Sequence, residues 1–149
     1  MQKIYYAAHT YMIVGVISGL VYREITKWQD FTGDTQLAVV HTHLLALGML
    51  FHLIVLALEK AFGPSDGKLF DWFFRIYNAG LVLTVTMMTV HGIQTVFGAH
   101  TSAAISGLAG LGHITLTIGL ILFFINLGKQ VSGATARPDN ASQLHDQPA

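Results

Sequence analysis

Leu37-Ala38-Val39-Val40-His41-Thr42-His43-Leu44-Leu45-Ala46-Leu47-Gly48-Met49-Leu50-Phe51-His52-Leu53-Ile54-Val55-Leu56-Ala57-Leu58 is an apolar run whose only polar members are Thr42 and three histidines. About 20 such residues cross a bilayer core of roughly 30 Å, so the run reads as a membrane-spanning helix. Histidine is rare in lipid and needs a partner there. On a regular helix His41 and His43 point about 200° apart, toward two different neighbours. Neutral imidazole is a good ligand for haem iron, copper and zinc. The pair therefore offers a ligand on each side of one helix.

The rest of the chain agrees with a membrane setting. Hydrophobic residues make up 52% of it and charged residues only 11%, which excludes an ordinary soluble domain. The absence of cysteine excludes disulfides, thiolate metal sites, iron–sulfur clusters and covalently attached c-type haem. Lys plus Arg equals Asp plus Glu, so there is no electrostatic case for nucleic acid. Three further apolar segments bring the expectation to an all-α, four-span integral membrane bundle, with spans at about 4–22, 37–58, 72–97 and 107–127. The first segment contains His9 and Tyr11 and runs into Tyr22-Arg23-Glu24 without a cleavage pattern, so it reads as a retained span. Gly63-Pro64-Ser65-Asp66-Gly67 breaks the second span from the third. Residues 1–130 form the membrane domain, and 131–149, which include His145, read as a disordered cytoplasmic tail.

Loop charge sets the expected orientation. Lys3, Lys60, Lys68, Arg75, Lys129 and Arg137 lie on one side and only Arg23 and Lys27 on the other, which places both termini in the cytoplasm. Gly15-x-x-x-Gly19 and the fourth segment's Ser106, Gly107, Gly110, Gly112 and Gly119 suit close helix packing, in a bundle or an oligomer. In this orientation His41, His43, His91 and His113 fall in the outer third, while His9 and His52 fall in the inner half. Polar contacts made independently have no reason to share a depth, whereas a cofactor imposes one.

A closed zinc or copper site needs about four ligands converging on a point, which the divergent pair cannot supply from one regular helix. Haem suits it better, with His41 from one protomer and His43 from the next as axial ligands. Each such helix then stands between two haem sites, which requires a ring of subunits. Ala46 on the His43 face and Gly48 on the His41 face would let a flat ring approach. Arg23 is placed to meet the propionates. His113 and His91 are the next candidates, as ligands or supporting groups.

Tyr22-Arg23-Glu24, Phe31-Thr32-Gly33, His41-Thr42-His43-Leu44-Leu45-x-Leu47-Gly48-Met49, Leu58-Glu59-Lys60 and Gly112-His113-Ile114 resemble a small prokaryotic four-helix membrane family of unknown function. The resemblance covers roughly residues 4–128 and implies the prokaryotic cytoplasmic (inner) membrane. More distantly, the chain resembles one four-helix arc of the haem–copper oxidase catalytic subunit. That subunit has three arcs, carries its haem and copper histidines on each arc's second helix, and has one H-x-H that serves two haems. The resemblance implies a twelve-helix homotrimer binding haem b. Its role would be electron transfer or the handling of oxygen or nitric oxide, with a quinol or a redox protein as electron partner. The chain lacks the His-Pro-Glu-x-Tyr and His-His copper motifs, which argues against oxygen reduction and leaves a haem-dependent oxidoreductase activity open. His91 roughly matches the His-His position, so an additional copper is a secondary expectation. Two other readings stand beside haem: a histidine-lined proton or copper/zinc channel or carrier, and a helper in oxidase assembly.

Overall fold

Four helices account for nearly all of the described chain in the computed structural model, which covers residues 1–65, 67–100 and 102–135. They are α1 (Gln2–Trp28), α2 (Leu37–Phe62), α3 (Lys68–Val96) and α4 (Ala103–Thr135). Each is long and apolar enough to cross a membrane. The fold is that of an all-α, multi-pass membrane protein.

The helices outrun their apolar cores. α1 continues six residues beyond the expected end at 22, and α4 runs from 103 to 135 rather than from 107 to 127. Residues 131–135, expected in a disordered tail, are the last turn of α4. A helical turn closes its i→i−4 bonds whatever its side chains, so hydropathy marks the lipid-buried stretch and not the helix end. His145 and the tail beyond 135 lie outside the described residues. α2 stops at Gly63, which takes the left-handed conformation (φ 60°) and donates its N–H to the Glu59 carbonyl, a glycine C-cap followed by Pro64. Glu59 then accepts from both the backbone N–H and the hydroxyl of Ser65, and Asn126 of α4 donates to the Pro64 carbonyl at 2.7 Å.

α2 packs against α1 on one side and α3 on the other, and α3 packs along α4. α1 and α4 are not packed on each other, so the bundle stays open on one side. The core lies toward the end that carries the N terminus, where Ile4, Val55, Phe70, Phe73, Tyr77 and Leu81 are buried. Phe51 stacks on Tyr77 with ring centres 4.6 Å apart, and Phe73 meets Phe123 at 4.9 Å. The α3–α4 seam is built on glycines. A Cβ at Gly80 would stand 2.5 Å from the Leu116 nitrogen, and one at Gly119 would stand 2.8 Å from the Tyr77 Cα. A Cβ at Gly107 or Gly110, the other small residues expected at a contact, would meet nothing within 4 Å among the described residues.

Candidate functional site

α2 is not regular along its length. Leu37–His43 is α-helical, Leu44–Leu50 is π-helical with i→i+5 bonding, and Phe51–Phe62 is α-helical again. π segments are rare and cluster at functional sites. The expectation of a regular second helix is thus corrected. His41 and His43 both precede the π segment, in a regular turn, so their divergence of about 200° still holds. Faces read through 44–50 do not hold. Gly48 is no platform for a flat ligand on the His41 face: a Cβ there would stand 2.5 Å from the Tyr11 ring, so Gly48 exists to admit Tyr11. Ala46 shares a lateral groove with His41, not with His43.

That groove is lined by His41, Thr42, Leu45, Ala46, Met49 and Leu50 and has a volume of about 400 Å³. His41 itself faces Gly19 of α1, where a Cβ would stand 3.6 Å from its side chain, and its Nδ1 is buried without a hydrogen-bond partner. His43 is held differently. Its Nδ1 lies 2.9 Å from the Val39 carbonyl oxygen. A carbonyl only accepts, so Nδ1 must carry the proton, and Nε2 keeps its lone pair. His113 repeats the arrangement, with Nδ1 2.9 Å from the Ala109 carbonyl. This is how ligating histidines are fixed: one ring nitrogen is tied to the backbone and the other is left to bind. Neither Nε2 meets a hydrogen-bonding group among the described residues.

Close contacts between helices set the relative depths. Gly19 lies beside His41, Gly92 against Leu37, and Gly112 against Thr84. His91 therefore stands about 4.5 Å nearer the far end than His41, and His113 about 12 Å deeper than His91, at ~1.5 Å per residue. The four histidines occupy a band, with the H-x-H pair in the middle, and not a single plane. Among the described residues no three His, Cys, Asp or Glu side chains gather into a group able to hold a metal ion. His91 also has a buried Nδ1 without a partner, and His100 sits exposed past the end of α3. Arg23 lies on α1 one turn beyond Gly19, with a side chain 73% exposed whose ion-pair partner is Glu24 at 3.9 Å.

A second polar cluster surrounds His52. His52 is fully buried and directs Nδ1 at the Gly48 carbonyl, 2.6 Å away. Asn78 of α3 is 3.3 Å from its Nε2 and accepts a 2.7 Å bond from the Tyr11 hydroxyl of α1. Tyr77 donates to the Leu47 carbonyl at 2.8 Å. Three helices are thus tied together at the π segment, and two of its carbonyls are taken by side chains. Asn78 in an apolar segment was the available signal. Replacing Tyr77 with Phe removes the bond to Leu47, which in lipid is worth about 1 kcal/mol. The expected result is a modest loss of stability, with faster amide exchange confined to 44–50, read by hydrogen–deuterium exchange mass spectrometry.

One family model matches the chain. The family described as "Protein of unknown function (DUF2871)" matches residues 1–130, all four helices included except the last residues of α4. No curated protein and no solved structure matches the chain.

Proposed function

Since the chain belongs to that family, whose description assigns no chemistry, we propose from its own residues that it is a haem b-binding membrane protein serving electron transfer or the handling of a small gas. His41 of one protomer and His43 of the next would hold the haem, in a homotrimer. Both termini face the cytoplasm, on the loop-charge argument. The observation that carries this reading is the state of His43: Nδ1 is tied to Val39, leaving Nε2 as an unpaired ligand.

The donor set fits haem better than a bare ion. Each histidine stands alone at its own face of α2, and haem iron asks for one or two axial nitrogens instead of four convergent ligands. The groove beside His41 is walled by Leu45, Ala46, Met49 and Leu50, which would exclude water from a flat apolar ring. Arg23, one turn toward the far end, has an exposed side chain that could exchange its 3.9 Å Glu24 contact for a carboxylate at the membrane edge. When bound, haem would supply a reversible one-electron couple. The histidines fix the ring and its potential, and the open flanks of α1 and α4 leave room for neighbouring copies. His113, with its own free Nε2 at the surface, is the candidate for a second or distal contact.

Oxidised and reduced optical spectra of protein made with adequate haem supply test the proposal. A Soret band is expected, with the sharp reduced bands of bis-histidine haem. Protein without Soret absorbance overturns the proposal.

A further inference from the structure

Beyond the H-x-H pair, α1 and α2 share a second lateral pocket of about 210 Å³, lined by Tyr5, Ala8, His9, Met12, Met49 and Leu53. His9 and Met12 stand at i and i+3, on one face of α1. Tyr11 sits on Gly48, so Met49 faces α1 at the level between His9 and Met12. One imidazole and two thioethers, from two helices, therefore border a single pocket. His9 makes a ring contact with Tyr5, the centres 5.9 Å apart, and neither of its ring nitrogens makes a hydrogen bond among the described residues. An imidazole in lipid without a partner is costly. No carboxylate lines the pocket to relieve it.

We propose that His9, Met12 and Met49 form a site for monovalent copper. Thioethers are soft donors and select Cu(I), while magnesium and calcium require oxygen ligands. Zinc requires about four nitrogen, oxygen or thiolate ligands, which this pocket lacks. Three neutral donors suffice for Cu(I), and the complex carries a single positive charge, the smallest that a metal ion held by neutral donors alone brings into an apolar layer. Met49 lines the His41 groove as well, so the copper site adjoins the histidine pair across one side chain. The site uses neither His41 nor His43 and stands independently of haem.

Purified full-length protein is loaded with Cu(I) alone under anaerobic reducing conditions and challenged with a chromogenic Cu(I) chelator. One Cu(I) retained per chain is expected, with sulfur in its shell by X-ray absorption. The double variant Met12→Leu/Met49→Leu, which conserves volume, should melt at the wild-type temperature and bind at least about tenfold more weakly, a change of roughly 1.4 kcal/mol. His9→Leu should lose the nitrogen scatterer while keeping the sulfur. Equal retention by wild type and double variant overturns the site, as does a shell of nitrogen and oxygen only. Haem-free protein gives the same readouts, so this outcome is separate from the Soret test.

Discussion

His43→Ala is expected to turn a six-coordinate, low-spin haem into a five-coordinate, high-spin one that binds carbon monoxide. Each shared haem loses one of its two axial nitrogens while the other protomer's His41 remains. The substitution removes no hydrogen bond to another helix, because His43 bonds only to its own, at the Val39 carbonyl. Folding should therefore be unchanged, and the spectrum should report ligation alone. His41→Ala should act likewise on the spectrum but leave a gap against Gly19. The double variant should lose the Soret band, with at least about a tenfold fall in the haem-to-protein absorbance ratio, since tenfold corresponds to only ~1.4 kcal/mol and two coordination bonds are at stake. His113→Ala should leave the low-spin spectrum in place if His113 is a distal contact. Optical and electron paramagnetic resonance spectra of the four variants decide among these roles. An unchanged spectrum in the double variant would sink the assignment of the pair.

Gly80→Val and Gly112→Val are expected to be the most damaging substitutions outside the histidines. A Cβ at Gly80 would stand 2.5 Å from the Leu116 nitrogen, and one at Gly112 would stand 2.9 Å from the Thr84 nitrogen. Both obstacles are backbone, so no rotamer change relieves them, and the α3–α4 seam must open. Overpacking costs about 1–3 kcal/mol at a typical core site and occasionally more, and here two whole helices must separate. We expect about 3 kcal/mol for either change, read as a lower melting temperature or a lower denaturant midpoint in detergent. Gly110→Val is the matched control. A Cβ at Gly110 would meet nothing within 4 Å among the described residues, so the variant should fold normally. In a trimer whose copies meet along this face of α4 it should run at monomer mass, which links the small-residue pattern to assembly.

The four helices were legible in the sequence because an apolar stretch of bilayer length admits few other readings. The four histidines were expected in one shared outer layer, but the glycine contacts between helices spread them over a band. The helix ends were not legible, because Tyr22 to Trp28 and Gln130 to Thr135 bond helically without being apolar. The π segment was hidden for another reason. Whether Leu44–Leu50 bonds at i+4 or i+5 is decided by partners on other helices: Tyr77 and Tyr11 reach it from α3 and α1. Asn78 was the one visible sign of the His52 cluster, an amide in a lipid-spanning segment that needs a partner. The tautomers of His43 and His113 depend on the ring orientation toward Val39 and Ala109, which no spacing rule supplies.

The wide turn at Leu44–Leu50 also bears on how this chain tolerates a change of length. A π segment accommodates one residue more than the α-helix that would span the same rise. Deleting a residue from an ordinary helix swings everything beyond the cut by about 100°. Deleting one here, at exposed Ala46 for example, would restore α bonding and leave His41-Thr42-His43 and Val55 in their present mutual orientation. Shortening α2 by one residue between Phe51 and Ile54, past the π segment, would break that alignment. The helix thus holds a single dispensable backbone unit, placed between the histidine pair and the packed core that supports it.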